Sequence, residues 1–492
     1  MINFVQILYT LSWHSTIFSL IALLYYAYKI QRRYQRFKKY GIKGPSPIFL
    51  CGNIFELESK PRHEILHDWF ERYGETFCFH LPIRSTIVTE DLDFIKHILS
   101  DTKVFGGRPF PNIHFYPLMD SVLQTNGKSW SNSRKTVSPI LSTSKVSSSP
   151  VADILDGCVE RFLDNLNSTG THEPFKRDIT CLCNRYSFDV ILKTSLGIEM
   201  DVYSDDNELI HAMDTFFKNA SIGATKVVQC IPFLSFPMKL MAEYITSGKM
   251  IDIILLHLKK TVREYLANKS GSGSNAVILQ SMLQHLRDGN ITEHELLGNS
   301  LLMLLAGYET TANGLIFVLY VLAKYPEIQE KVRYHVNEDG YKHPYVEMVW
   351  LETLRIYPPV IGMVSREANK DVVINGITIE KYTTVMADLW RIHHSPKYWP
   401  DPWKFDPTRF DRENRSKIVP CSYMPYGYGQ RICLGMNLAT AEACRLVAKI
   451  VSRYQISFSD DTPDSLPIGS VVPELTKPSR SIYLKFQKIK DL

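Results

Sequence analysis

Tyr426-Gly427-Tyr428-Gly429-Gln430-Arg431-Ile432-Cys433-Leu434-Gly435 is the stretch on which the reading of this chain turns. One cysteine stands among three glycines and an arginine, just ahead of a helix-like run, Asn437-Leu438-Ala439-Thr440-Ala441-Glu442. Glycines let a backbone turn tightly and leave N–H groups free to point inward. A thiolate in such a turn is stabilised by those N–H groups, by the helix N-terminus that follows and by a nearby guanidinium. Two readings are open at this point. The cysteine is either a buried structural residue in a Gly-rich turn, or a lone thiolate ligand of a soft or borderline metal, an axial position on haem iron among them. A zinc site is disfavoured, because no Cys-x-x-Cys occurs in the chain.

The 492 residues suffice for one large domain or two or three average ones. A content of 45% hydrophobic and 12% aromatic residues is ample for a large core. Nine cysteines without paired spacing argue against a disulfide framework and for a reducing compartment. A net charge of +5 is too mild to suggest a nucleic-acid partner, so the basic residues matter by location. Lys29, Arg32, Arg33, Arg36, Lys38 and Lys39 follow directly on a stretch from Ile7 to Tyr28 without Lys, Arg, Asp or Glu. Such a stretch, about 20 residues, is long enough to cross a bilayer, although Gln6, Ser12, His14 and Ser15 weaken its outer half. A cleaved signal peptide would carry positive charge ahead of its apolar core, whereas the first lysine here is Lys29. The expectation is a signal anchor over residues 1–28, with Tyr25, Tyr26 and Tyr28 at the membrane interface. A basic stretch and a stiff Gly41–Pro47 hinge fill residues 29–47, and the body runs from 48 to 492. The positive flank places that body on the cytosolic side, so Asn167-Ser-Thr and Asn219-Ala-Ser are expected to stay unglycosylated.

The long middle of the chain reads as helical. Thr292 and Glu295 form a capping box that opens a helix running to Tyr325, where Pro326 stops it. Leu301 to Leu305 is apolar all round, so this part belongs at the centre of the body. Val372 to Met386 reads as short strands around an Asn375-Gly376 turn, and the last forty residues as a small mixed sheet. Within the central helix lies Ala306-Gly307-Tyr308-Glu309-Thr310-Thr311. An acid and hydroxyls are costly there; they serve either as a proton relay or as a back-bonded threonine beside a water-satisfied glutamate. Glu352-Thr-Leu-Arg355 sets opposite charges one turn apart among apolar neighbours. Such a pair needs further partners, and Arg409 is placed in the sequence to complete a network.

The ordered set Ala-Gly-Tyr-Glu-Thr-Thr, Glu-x-x-Arg, Pro407-Thr-Arg409-Phe and Gly-x-Arg-x-Cys-x-Gly, with Trp130-x-x-x-Arg134 upstream, resembles the cytochrome P450 family. The resemblance extends from the hinge to the C-terminus. The anchor, the Gly-Tyr-Glu-Thr-Thr wording and Lys397-Tyr398-Trp399 are most similar to the animal microsomal branch that includes the 3A drug-metabolising enzymes and thromboxane synthase. It implies a mainly α fold with small β-sheets, preceded by an N-terminal transmembrane helix. It also implies heme b (iron protoporphyrin IX), with Cys433 as proximal thiolate and Trp130, Arg134, Arg366 and Arg431 on the propionates. Glu309 and Thr310 become the catalytic pair that delivers protons on the distal side, and Glu352, Arg355 and Arg409 become structural.

The activity implied is a monooxygenase that places one oxygen atom in an apolar organic substrate (sterol, fatty acid or xenobiotic) and releases the other as water. The chain has no strand-flanked Gly-x-Gly-x-x-Gly for a flavin or dinucleotide. Electrons are therefore expected from NADPH–cytochrome P450 reductase, with cytochrome b5 as a second donor. Lys128, Arg134, Lys135, Arg445 and Lys449 are the expected docking cations. The location implied is the endoplasmic reticulum membrane, single-pass, with the catalytic domain facing the cytosol. Two alternatives are a reductase-independent haem-thiolate peroxide isomerase and a non-enzymatic haem sensor; the Glu309-Thr310 pair weighs against the first. The stretches from Phe105 to Leu123 and from Asp201 to Tyr244 are expected to roof the pocket. Two departures stand out. The family has phenylalanine where this chain has Tyr426, whose hydroxyl needs a partner, and the segment from Arg333 to Glu347 is shorter than in microsomal relatives.

Overall fold

The structure, a computed structural model, describes residues 2–82, 84–109, 116–167, 174–219, 246–267, 276–470 and 474–489. Its longer helices are α1 (Ile2–Lys39), α2 (Arg62–Tyr73), α3 (Leu92–Ser100), α4 (Gly127–Val137), α5 (Val151–Asn167), α6 (Ile179–Ile191), α7 (Glu208–Asn219), α8 (Thr246–Ala267), α9 (Val277–Arg287), α10 (Glu293–Lys324), α11 (Pro326–Asp339), α12 (Pro344–Ile356) and α13 (Met436–Arg453). The strands are β1 (Thr76–Leu81), β2 (Arg84–Thr89), β3 (Phe175–Asp178), β4 (Ser365–Glu367), β5 (Val372–Ile374), β6 (Ile377–Ile379), β7 (Thr384–Ala387), β8 (Tyr454–Phe458), β9 (Ile468–Ser470), β10 (Thr476–Pro478) and β11 (Tyr483–Lys488). The body is thus mainly helical with small sheets. One sheet has the order β1-β2-β7-β4, another β3-β11-β8, and two are hairpins, β5-β6 and β9-β10. The β5-β6 turn sits where the sequence places it. Asn375 (φ 49°) and Gly376 (φ 76°) both take the left-handed conformation that a two-residue hairpin needs.

Helix α10 is the axis. Thr292 Oγ1 accepts from the Glu295 N–H at 3.2 Å, and Glu295 Oε2 accepts from the Thr292 N–H at 2.9 Å, which is the expected capping box. The helix ends at Lys324 and Pro326 opens α11. Among the described residues it is the helix long and apolar enough to cross a membrane. Most of that apolar window, 83%, is buried inside the body, so α10 is a core helix. Close packing against it relies on its glycines, among them the two that face α6 and α12. A Cβ on Gly307 would lie 2.7 Å from Ile191 of α6, and one on Gly314 would lie 2.5 Å from the Trp350 indole of α12.

A buried lock holds the region before the cysteine loop. Arg355 donates to both oxygens of Glu352, at 2.7 and 2.8 Å, and to the His393 carbonyl at 2.8 Å. Glu352 also accepts from the Asp406 N–H at 3.0 Å and pairs with Arg409 at 3.4 Å. Neither Glu352 nor Arg355 is exposed at all. A buried pair is stable only when its remaining donors and acceptors are filled, and here they are. The sequence had brought these three side chains together; His393 it had not. The His393 Nε2 accepts the Met424 N–H at 3.0 Å and so carries the lock to the threshold of the cysteine loop.

At the other end, the apolar stretch and the basic stretch form one uninterrupted helix, α1. Ile17, Phe18, Leu20, Ile21 and Leu24 are exposed along it. Further on, Ile30, Tyr34 and Phe37 recur on one face and are buried. Tyr34 and Phe37 pack on the His80 ring, at 5.0 and 5.8 Å between centroids. Arg33 donates to the Pro82 carbonyl at 3.1 Å, Arg36 pairs with Glu380, and the Tyr40 hydroxyl donates to Glu380 at 3.1 Å. The helix therefore joins the body upstream of Gly41–Pro47.

Candidate active site

The cysteine loop is shaped by its glycines. Gly427 and Gly429 take φ values of 79° and 72°, and a Cβ on Gly429 would meet the Leu99 carbonyl at 2.7 Å. The Cys433 N–H donates to the Tyr426 carbonyl at 2.8 Å, closing the turn. Cys433 lies within the body yet its side chain is open, the sign of an internal space beside it. Burial pushes its thiol up, while the N–H groups of Gly435 and Met436 and the guanidinium groups of Arg108 and Arg134 pull it down. A metal ion at the sulfur would settle that balance for the thiolate.

Four arginines converge near the cysteine. Arg134 of α4 donates to the Ile432 carbonyl at 2.7 Å. Arg366 of β4 donates to the carbonyls of Ser365 and Tyr428, at 2.8 and 3.3 Å. Arg431 spends its terminal nitrogens on Gly106 O, Thr125 O, Val122 O and Asn126 Oδ1, and its guanidinium lies 4.1 Å from the Trp130 ring centroid. The fourth is Arg108, which the sequence reading missed. It donates to the Arg431 carbonyl at 3.1 Å. Burial and the neighbouring guanidinium groups lower Arg366 and Arg431 to about 9. Such a cluster of like charge asks for an anion. Two buried donors in it also lack partners, Trp130 Nε1 and Arg431 Nε. A planar, largely apolar group that brings two carboxylates fits these unfilled donors, and haem is such a group.

On α10, Ala306 is exposed and Gly307 and Thr310 are half-exposed, although the turns on both sides are buried. An exposed alanine in the middle of a core helix again marks an internal space. The Thr310 hydroxyl donates to the Ala306 carbonyl at 2.7 Å, the back-bonded arrangement. Glu309 is turned elsewhere. It is 5% exposed and pairs with Lys477 of β10 at 3.7 Å. Burial pushes its carboxyl up and Lys477 pulls it back. Beside it the Tyr308 hydroxyl donates to Asp214 of α7.

The hydroxyl of Tyr426 does find partners. Trp350 Nε1 donates to it at 2.9 Å, and Thr440 Oγ1 of α13 lies 3.2 Å away. The docking face needs correction. Arg445 is 2% exposed, bound to Asp156 at 3.2 Å and to the Tyr341 hydroxyl at 2.9 Å, so it is an internal tie. Tyr341 belongs to the short connection between α11 and α12, which closes onto α13 through this contact. Lys128 and Lys135 are exposed, and Lys449 pairs with Glu160 at 3.3 Å. Of the expected roof, 110–115 and 220–244 lie outside the described residues.

The family model described as "Cytochrome P450" matches residues 42–486. The chain is 28% identical over 499 residues to "Cytochrome P450 3A41" of Mus musculus, covering 95% of each chain. It is 26% identical over 480 residues to "Cytochrome P450 3A28" of Bos taurus, covering 92% of this chain and 91% of that one. It is 27% identical over 503 residues to "Cytochrome P450 3A7" of Homo sapiens, covering 96% of each.

Proposed function

The chain belongs to the cytochrome P450 family, monooxygenases built on one fold around haem b, and on that footing we propose that Cys433 is the haem ligand and that the substrate is an apolar organic molecule. The observation that carries this reading is the cluster at the cysteine loop: an open cysteine, converging arginines, and the unfilled donors of Trp130 and Arg431. Trp130, Arg108, Arg134 and Arg366 would hold the propionates, and Arg431 would brace them while its terminal nitrogens clamp the loop. When bound with a thiolate ligand, haem iron supplies the cleavage of dioxygen. The chain's own part is to place charge and protons. Thr310, half-exposed on α10, borders the internal space where it would face the haem, and releasing its bond to the Ala306 carbonyl would free its hydroxyl to pass a proton. Glu309, held by Lys477, is the acid behind it.

A redox partner and a small-molecule substrate come with the family. The specific partner proposed is the NADPH-dependent reductase, with cytochrome b5 as a second donor, because nothing in the sequence builds a flavin or dinucleotide site. The exposed apolar residues of α1 support insertion in the endoplasmic reticulum membrane with the body on the cytosolic side. The test is the absorption spectrum of the reduced, CO-bound membrane fraction. A Soret band at the thiolate position that disappears in Cys433→Ala is the expected result. A band unchanged by that substitution would overturn the assignment, and absence of product with reductase and NADPH across sterols, fatty acids and xenobiotics would overturn the substrate class.

A further inference from the structure

Tyr426 stands where the family carries phenylalanine, and its hydroxyl is not idle. Trp350 is 2% exposed, and an indole N–H can only donate. In the 2.9 Å contact the Tyr426 oxygen must therefore be the acceptor. In the second contact, with the Thr440 hydroxyl 3.2 Å away, either oxygen can donate. The contacts thus run from Trp350 of α12 through Tyr426 of the loop to Thr440 of α13. The same residue faces inward through its backbone, where its carbonyl accepts the Cys433 N–H at 2.8 Å. The indole reaches the phenol only because α10 carries glycine at 314, where a Cβ would sit 2.5 Å from the ring.

We propose that Trp350, Tyr426 and Thr440 form a hydrogen-bonded staple that positions the Cys433 loop between α12 and α13, with Gly314 as the space that admits it. Phenylalanine at 426 fills the same volume but cannot make either bond. Trp350 and Tyr426 are positioning residues. The Tyr426 hydroxyl is occupied by Trp350 and Thr440, so they act on the sulfur through the loop backbone. The proposal rests on Cys433 as the haem ligand.

The experiment uses the purified holoenzyme and follows the reduced CO spectrum during mild warming, alongside unfolding of the whole chain by circular dichroism. Tyr426→Phe keeps the thiolate band when fresh, yet converts to the thiol-ligated band roughly tenfold faster, the scale of leaving one buried indole N–H unpaired. Trp350→Phe accelerates conversion similarly, and the double variant is no faster than the faster single. Gly314→Ala, with both partners intact, does the same by displacing the indole. Conversion at the wild-type rate in Tyr426→Phe overturns the proposal. So do single effects that multiply in the double variant, or acceleration that merely tracks earlier unfolding of the whole chain. A wild type with no thiolate band sinks the ligand assignment and this proposal together. A normal wild type with unchanged variants sinks this proposal alone.

Discussion

Thr310 and Glu309 are neighbours in sequence, but the structure gives them different surroundings. Thr310 borders open space and Glu309 is held by Lys477. Thr310→Ala is therefore expected to let NADPH be consumed while product per NADPH falls by roughly 10²-fold, the lower end of what a lost proton-transfer group costs, and peroxide rises. Stoichiometry of NADPH, peroxide and product measures it, and coupling at the wild-type level would remove Thr310 from proton delivery. Arg108 is the second residue to test. Loss of a charge-assisted bond costs about 1.5–3 kcal/mol, so Arg108→Ala should release haem to an acceptor protein about tenfold faster or more, with Arg108→Lys falling between. The turn that carries Cys433 was legible because glycines frame it in one short stretch, Gly427 and Gly429 taking left-handed backbone. Arg108 was not: its contact with the Arg431 carbonyl spans 323 positions, and nothing local to Gly107-Arg108-Pro109 announces it.

Helices carry their start signals locally and their buried faces only partly. The capping box of α10 was read from Thr292 and Glu295 alone, and Thr292→Ala is expected to cost about 1 kcal/mol, visible as a lower thermal midpoint with the reduced CO spectrum unchanged. The spacing of Arg445 and Lys449 places both toward one side of α13. It could not say that Arg445 meets Asp156 and Tyr341 while Lys449 reaches Glu160 at the surface. Which side of a helix is covered depends on neighbours far along the chain, and charge alone is a poor guide to it. The lock between α12 and the cysteine loop shows the opposite case. Its apolar flanks marked Glu352 and Arg355 as buried, and they are. Replacing Glu352 with Gln leaves Arg355 buried beside a neutral partner, a change of about 3–5 kcal/mol. The expected outcome is chain that accumulates poorly and binds little haem; normal haem content in Glu352→Gln would show the lock to be dispensable.

Burial keeps several histidines neutral, His63, His80, His393 and His394 among them, and each such group costs stability on the acid side. Burial lowers His80 to about 4 and holds His393 well below its ordinary value. Unfolded histidine titrates at about 6.5, so between 6.5 and 4 the unfolded chain binds a proton that the folded chain refuses. The sign follows: stability is complete above about 6.5, declines as pH falls, and by pH 4 His80 alone costs about 3 kcal/mol. His393 adds to this, because its Nε2 must surrender the Met424 N–H to accept a proton. His80→Gln should raise the thermal midpoint at pH 4 relative to its value at pH 7, compared with the same difference in wild type; a variant curve parallel to wild type would refute the His80 contribution. At the N-terminal end, α1 is keyed to the body by Ile30, Tyr34 and Phe37 without a break before them. A helix turns about 100° and rises about 1.5 Å per residue. One residue inserted after Tyr28 would thus swing the whole apolar end around the axis by that angle while leaving the docked face in place. The count of residues between the two ends of α1 is an angular setting, and it fixes the bearing of the apolar end relative to the docked face.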